Sequence, residues 1–336
     1  MQEDRMQHLT IAIAGAGAIS EFHLKGWEGQ QDVTLAAICD PDRSRAQAQA
    51  DRFGIPAVFT DMGEMLAAVR PDAVDIITPV GSHAPLVRQA ADMCVHVMCQ
   101  KPMTPTVAEA EALIAEVGER VRFMVHENYR FRPHYAELAR RVAEGQLGRL
   151  RHARLTVRAS SLLDYPGKVP FLLGRQPYLA EFPRLLVFEV LIHHLDALRA
   201  ILGEMTVTQA RLDRMNPELK GEDVALIQLE SEGGVLVQID ANISAPGHPP
   251  LPTDRLELLG ESDTLIYDRD RITLLSQPDA VSLHDLAANY QACFTDAVGD
   301  FVNGLRSGRP FRTDRLDNLR TLRLMEQVYR IAGVPV

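Results

Sequence analysis

Several features that mark whole classes of function are scarce in this sequence. Its 336 residues include only four cysteines and one tryptophan. Cys39, Cys94, Cys99 and Cys293 show no CxxC spacing and no framework density, which argues against a zinc ribbon or a disulfide scaffold and predicts reduced thiols in a cytoplasmic setting. No apolar run reaches the roughly 20 residues that a helix needs to span a bilayer. Glu3 and Asp4 stand where a signal peptide carries basic residues, so neither leader nor anchor is expected. Positive charge is in deficit: 35 Lys and Arg face 45 Asp and Glu, a formal net charge of −10. That balance argues against nucleic acid or an anionic membrane as the main partner, though not against local anion binding at a helix end. Repeats and low-complexity tracts are also missing. What remains, 46% hydrophobic and 24% charged residues, is the composition of a soluble globular protein, and the length predicts two domains.

The N-terminal third alternates short apolar runs with helical stretches, the rhythm of a parallel sheet wrapped by helices. Strands are expected at residues 9–14, 33–39, 57–60, 73–78, 95–99 and 121–125. Helices are expected at 43–53, 62–69, 83–93 and 107–117. The first run, LTIAIAGAGAIS at residues 9–20, passes from a strand into a glycine turn that opens a helix. Gly15 permits the tight reversal, and Gly17 lets backbone approach a pyrophosphate that faces the N–H groups of Ala18, Ile19 and the helix beyond them. Ser20 fills the third small position. This is the turn of a dinucleotide-binding domain.

Asp40 closes the second strand, where a carboxylate accepts hydrogen bonds from ribose hydroxyls and repels a 2′-phosphate. It favours NAD, while Arg43 and Arg45 just beyond keep NADP open; a turn or cap role before Pro41 is compatible with either. Two further strand ends, Thr78–Pro79–Val80–Gly81–Ser82–His83 and Cys99–Gln100–Lys101–Pro102, fall at the carboxyl edge of the sheet, where ligands of such sheets bind. A lysine there can hydrogen-bond a reacting oxygen beside a cationic nicotinamide.

Beyond residue 128 the rhythm changes. A helix at 134–144 is followed by strands at 149–158, 205–212, 223–230, 234–243, 254–259, 264–268 and 272–275 with few helices between them, an antiparallel or mixed sheet. Residues 160–183 read as a long irregular loop and a candidate substrate lid, with Arg175 and Tyr178 as its polar contacts. Two late helices, at 287–305 and 314–331, read as packing elements, one of which could return to the first domain. The resulting domains are 1–127 for the dinucleotide and 128–336 for the substrate.

Residues 185–203, LLVFEVLIHHLDALRAILG, read as one apolar helix. At α-helical spacing Glu189, His193 and Asp196 share a polar stripe, while His194 falls among Val190, Leu191, Ala197 and Leu198. His194 is therefore expected in the core. A carboxylate-flanked His193 has its basicity raised and its ring oriented, which suits a proton acceptor. Glu189 and His193 have metal-ligand spacing, but no third or fourth ligand matches it, so no metal is expected.

Taken together, the glycine turn, Asp40, TPVGSH (residues 78–83), HVMCQKP (96–102) and NYRFRP (128–133) resemble, in order and spacing, the Gfo/Idh/MocA oxidoreductases. The resemblance implies a Rossmann domain followed by a mostly antiparallel, open-faced sheet domain that commonly forms dimers or tetramers. It implies NAD(P)-dependent hydride transfer at a carbon of a sugar, polyol or cyclitol. The catalytic lysine of the family's EKP motif carries over to Lys101, with Gln100 in place of the glutamate. In TPNxxH, Thr78, Pro79 and His83 match while Val80 replaces the asparagine. The DxGxHxxD pattern falls on Glu189, Leu191, His193 and Asp196, with His193 the proton acceptor. Asn128, Tyr129 and Arg130 are candidates for substrate contact or for packing at the domain junction. The family also contains NAD-dependent glycosidases that oxidise transiently and non-catalytic cofactor-binding regulators; Lys101 together with His193 speaks against a regulator.

Overall fold

The computed structural model describes residues 8–164 and 167–336, so Glu3, Asp4 and two positions of the 160–183 loop lie outside it. The chain forms two compact units, residues 1–131 with 290–322 and residues 132–289 with 323–336. The boundary expected at 127/128 falls shortly before the first of these divisions.

In the first unit, six strands form one sheet: β1 (Leu9–Ala14), β2 (Val33–Cys39), β3 (Ala57–Phe59), β4 (Ala73–Ile76), β5 (His96–Gln100) and β6 (Phe123–His126). Their order is β3-β2-β1-β4-β5-β6, and every pairing is parallel. The order reverses between β1 and β4, and that switch point opens a crevice beyond their carboxyl ends. The intervening helices are α1 (Ser20–Glu28), α2 (Arg43–Phe53), α3 (Met62–Val69), α4 (His83–Asp92) and α5 (Val107–Val117). Three of them start where a side-chain oxygen takes an orphan backbone N–H: Asp42 accepts from Ser44, Asp61 from Glu64 and Thr106 from Glu109. Ile11 and Ile13 of β1 are fully buried, in one core with Trp27 of α1 and with Phe294, Phe301 and Phe311 from late in the chain.

The second unit holds eight strands: β7 (Leu150–Arg158), β8 (Met205–Asp213), β9 (Val224–Ser231), β10 (Leu236–Asn242), β11 (Thr253–Gly260), β12 (Thr264–Asp268), β13 (Arg271–Leu274) and β14 (Gln277–Leu283). Their order is β14-β13-β12-β11-β7-β10-β9-β8, antiparallel except for β7 beside β10. Along β9, Ala225, Ile227 and Leu229 are buried while Leu226, Gln228 and Glu230 face outward, the alternation of a sheet with one covered side. Helix α6 (Pro133–Ala143) opens the unit.

Three local expectations are corrected. The 160–183 stretch is not wholly irregular, since it contains a short helix α7 (Phe171–Arg175) and a 3-10 turn, Pro177–Glu181. The apolar stretch that follows is not one α-helix but a π-helix, Leu186–Leu191, running into α8 (Ile192–Leu202). Strand β14 has no counterpart among the expected strands. It is an exposed edge containing Pro278, and it lacks the apolar alternation that marks half-buried strands. The last helices are α9 (Leu286–Ser307) and α10 (Arg315–Ile331). Among the described residues no helix is long and apolar enough to cross a membrane.

Candidate functional site

At the end of β1, Gly15 adopts φ +109°, and a Cβ there would collide with the Ile77 carbonyl. Only glycine fits that reversal. Gly17 differs: a Cβ built on it meets no atom within 4 Å, so its backbone borders open space. Helix α1 begins there without a side-chain cap. Its first N–H groups and the positive end of its dipole are thus presented to an anion. Ser20 is fully buried and its hydroxyl donates to the Gly17 carbonyl at 2.7 Å, which closes the turn from inside.

Asp40 ties the turn to β2. One carboxylate oxygen accepts from the Ala16 N–H at 2.8 Å and the other from the Asp42 N–H at 2.9 Å. Each oxygen keeps lone-pair capacity for a ribose hydroxyl, so the turn role and the ribose role coexist. Arg43 donates to the Val58 carbonyl, and Arg45 pairs with Asp42 at 3.3 Å. An uncapped helix start, open space over Gly17 and a carboxylate at the end of β2 fit a dinucleotide without a 2′-phosphate.

The two neighbouring strand ends are joined by His83. Its Nδ1 lies 2.8 Å from the Pro102 carbonyl and its Nε2 2.7 Å from that of Thr78. Burial pushes this imidazole below its ordinary range, against the pull of the two carbonyls, and the ring braces the two loops. The Ser82 hydroxyl donates to Thr78 Oγ1 and to the Pro79 carbonyl, which shapes the 3-10 turn Val80–Ser82. Lys101 is half-buried and its bond to Pro102 is cis. Gln100 turns inward, with its oxygen accepting from the Lys101 N–H at 2.7 Å and its amide nitrogen 3.0 Å from His23 Nε2. Arg130 is buried, donates to the Arg312 carbonyl at 2.7 Å and pairs with Asp317 at 2.8 Å. Asn128 is likewise buried, and its carbonyl caps the Phe131 N–H. Tyr129 is half-buried, its N–H on the Glu127 carboxylate.

In the second unit the π-helix is held by Glu222. That buried carboxylate accepts from the N–H groups of Leu185 at 3.2 Å and Val187 at 3.0 Å and from the Tyr329 hydroxyl at 2.7 Å. The Tyr329 oxygen in turn accepts from the Phe188 N–H at 3.0 Å. His194 is fully buried, Nδ1 facing the Val190 carbonyl and Nε2 facing Asp254 Oδ1 at 3.1 Å. Burial pushes Asp254 up, but His194, Arg132 and the Tyr135 hydroxyl outweigh it and hold the carboxyl well below the usual range. His194 is therefore a core histidine, as its neighbours on the helix predict.

Glu189 and His193 remain half-buried and reachable. Tyr178 is exposed, and its phenol is raised by partial burial and then by the Glu189 carboxylate, so the loop tyrosine stands within electrostatic reach of Glu189. Arg175 is exposed and lies over the Phe171 ring at 5.7 Å. Asp196 is fully buried, 3.8 Å from Arg199, and the π-turn breaks the α-helical stripe that grouped it with Glu189. Glu222, Asp254, Tyr135 and Tyr329 are buried structural partners that periodicity does not single out, because each bonds to a segment distant in sequence. Among the described residues no cluster of three or more His, Cys, Asp or Glu could hold a metal ion.

Residues 9–128 match the profile described as "Oxidoreductase family, NAD-binding Rossmann fold", and residues 135–266 match the "GFO/IDH/MocA C-terminal domain". The chain is 33% identical over 331 residues to D-apiose dehydrogenase of Paraburkholderia graminis, covering 95% of this chain and 86% of that one. It is 30% identical over 341 residues to D-apiose dehydrogenase of Rhizobium rhizogenes, covering 98% and 96%. Among solved structures, an oxidoreductase from Agrobacterium radiobacter in complex with NAD+, L-tartaric acid and magnesium superposes with a TM-score of 0.88 at 29% identity, covering 97% of this chain and 96% of that one.

Proposed function

Because the chain belongs to the Gfo/Idh/MocA family of NAD-binding oxidoreductases, we propose that it is a dehydrogenase that oxidises one hydroxyl of a sugar, polyol or cyclitol, with Lys101 and His193 handling the reacting oxygen and its proton. Its apiose-oxidising relatives make a small free sugar the first substrate to try. The observation that supports the reading is the half-buried Lys101 at the carboxyl end of the parallel strand β5, its backbone N–H held by Gln100; in the second unit His193, at the start of α8, is half-buried as well.

NAD+, when bound, accepts the hydride that leaves the substrate carbon. Gly15, Gly17, Ala18 and Ile19 would hold its pyrophosphate and Asp40 its ribose, and the Thr78–Pro79 and Gln100–Lys101 strand ends would border its nicotinamide. His193 accepts the hydroxyl proton as the C–H bond breaks. The Lys101 ammonium donates a hydrogen bond to the same oxygen while charge develops on it. Glu189 orients the His193 ring. Tyr178 and Arg175 of the second unit are the candidates for contact with the substrate's remaining hydroxyls, and Asn128, Tyr129 and Arg130 are the candidates in the first unit. His83 contributes by fixing the two loops.

The test is turnover by the purified chain with NAD and, separately, NADP on a panel of pentoses, hexoses, cyclitols and aryl glycosides, following both reduced nicotinamide and released aglycone. Reduced nicotinamide with NAD and a free sugar or cyclitol is expected. Lys101→Ala and His193→Ala should each lower kcat by about 10²- to 10⁴-fold. Undiminished turnover in either variant overturns its role, and aglycone release without net reduction would make the chain a glycosidase.

A further inference from the structure

Behind the strand end that carries Lys101, the first unit buries a continuous file of polar groups. Asp75 on β4 and His23 on α1 are both fully buried, and neither has a part in the reaction described above. Asp75 Oδ2 lies 2.9 Å from His23 Nδ1 and accepts from the Trp27 indole N–H, also at 2.9 Å. His23 Nε2 lies 3.0 Å from Gln100 Nε2, and Gln100 Oε1 accepts from the Lys101 backbone N–H at 2.7 Å.

The polarity of the file can be assigned from its ends. A backbone N–H only donates, so the Gln100 oxygen faces Lys101 and its NH2 group faces His23. His23 Nε2 must then accept, which leaves the ring proton on Nδ1 for Asp75. The opposite tautomer would set two N–H groups against each other at 3.0 Å. We infer that Asp75, His23 and Gln100 form a positioning relay that holds the Lys101 backbone through a neutral, Nδ1-protonated histidine, and that the amide at position 100 keeps this histidine neutral.

A carboxylate at position 100 would still accept from Lys101, but its second oxygen would demand a proton on Nε2. His23 would then be an imidazolium between two carboxylates. Its other neighbours cannot hydrate that charge: the His126 ring of β6 is 4.1 Å away and the Phe294 ring of α9 5.3 Å. Glu127, next to His126, is buried, and so is Cys99 on β5, whose thiol is pushed up by burial and by the Asp75 charge. Gln100 thus keeps an extra ionisation away from Lys101.

This inference rests on the role given to Lys101, and its test separates the two. In 15N spectra of the full chain labelled at histidine, the His23 pair, identified by its loss in His23→Gln, should show a protonated Nδ1 and a bare Nε2 at neutral pH. In Gln100→Glu both nitrogens should be protonated. The kcat–pH profile of Gln100→Glu should gain an ionisation missing from the wild type and fall by about 10- to 100-fold, with the KM for NAD little changed. Combining it with His23→Gln should abolish the added ionisation. A wild-type Nε2–H tautomer, or a Gln100→Glu profile that superimposes on the wild type, overturns the relay. The wild-type spectrum decides the tautomer even if Gln100→Glu fails to fold. Full turnover by Lys101→Ala would instead overturn the catalytic reading and leave the spectra to judge the relay.

Discussion

Burial acts on His134 more visibly than on any group of the site. Its ring stacks on Tyr267 with centroids 4.6 Å apart and planes 11° from parallel. Its Nδ1 faces the Asn289 amide at 3.4 Å, and its Nε2 is buried without a hydrogen-bond partner. Burial, with the Arg132 charge adding to it, pushes the imidazole down to about 3. The folded value lies below the unfolded one of about 6.5, so as the pH falls the unfolded chain takes the proton first. Stability is therefore full above about pH 6.5 and is lost progressively toward pH 3, by at most about 5 kcal/mol. Asp254, also depressed, adds its loss only below the carboxylate range; between about pH 4 and 6.5 the buried His83 adds to the loss, while Glu222, whose carboxyl burial pushes up, works in the opposite direction. His134→Phe keeps the stack and removes the unpaired nitrogen. Urea unfolding at a series of pH values should show the variant losing less stability over that interval, by about 2 kcal/mol. An unchanged slope would mean that His134 accepts a proton without unfolding.

Among the elements, the π-helix Leu186–Leu191 sets where Glu189 and His193 emerge, and it is held from outside by Glu222 and Tyr329. Glu222→Gln keeps one acceptor oxygen but turns an NH2 group toward a backbone donor, at a cost of about 1–3 kcal/mol. Tyr329→Phe strands the Phe188 N–H at a similar cost. Because a 1 Å displacement of a catalytic group can cost about 100-fold, both variants should lower kcat far more than they raise the KM for NAD, which the first unit binds. Thermal melts with steady-state kinetics would check this; variants that melt earlier yet keep full kcat would show that the turn holds its phase without these partners.

The same helix marks where local reading stops. Strand β2 and helices α2, α3 and α5 have the limits that the sequence predicts, since Asp42, Asp61 and Thr106 cap the helices within a few residues. The places of Gly15, Gly17 and Lys101 just beyond strand ends were legible for a similar reason, since they follow from the local apolar runs. The π-turn was not, because the carboxylate that holds it lies 35 to 37 residues further on. Nor was the partnership of Gln100 with His23, 77 residues apart. The phase of Glu189 against His193 and Asp196 was not legible either, because 3.6-residue spacing does not survive a π-turn.

At the scale of the whole molecule, the first unit is not a contiguous N-terminal piece. Residues 290–322 belong to it, and they supply core as well as surface. Phe294 packs against Phe22 at 5.3 Å, Phe301 meets the Trp27 ring edge-on at 6.2 Å, and Phe311 joins the same cluster. Beside β6, the Thr313 carbonyl accepts from the Val125 N–H at 2.9 Å, and the Thr313 hydroxyl donates to the Val125 carbonyl at 2.7 Å. Removing one buried phenylalanine side chain typically costs about 3–5 kcal/mol, and three are at stake. A domain commonly has only about 5–15 kcal/mol in all. The loss therefore exceeds or consumes what the rest can supply. A fragment ending at residue 131 should accordingly lack a cooperative thermal transition and fail to bind NAD by calorimetry, although it contains the whole glycine turn, Asp40 and Lys101. Joining residues 290–322 to it through a flexible linker should restore both. Cooperative melting and NAD binding by the 1–131 fragment alone, at the affinity of the full chain, would show that the six-stranded sheet closes its core without the late helix.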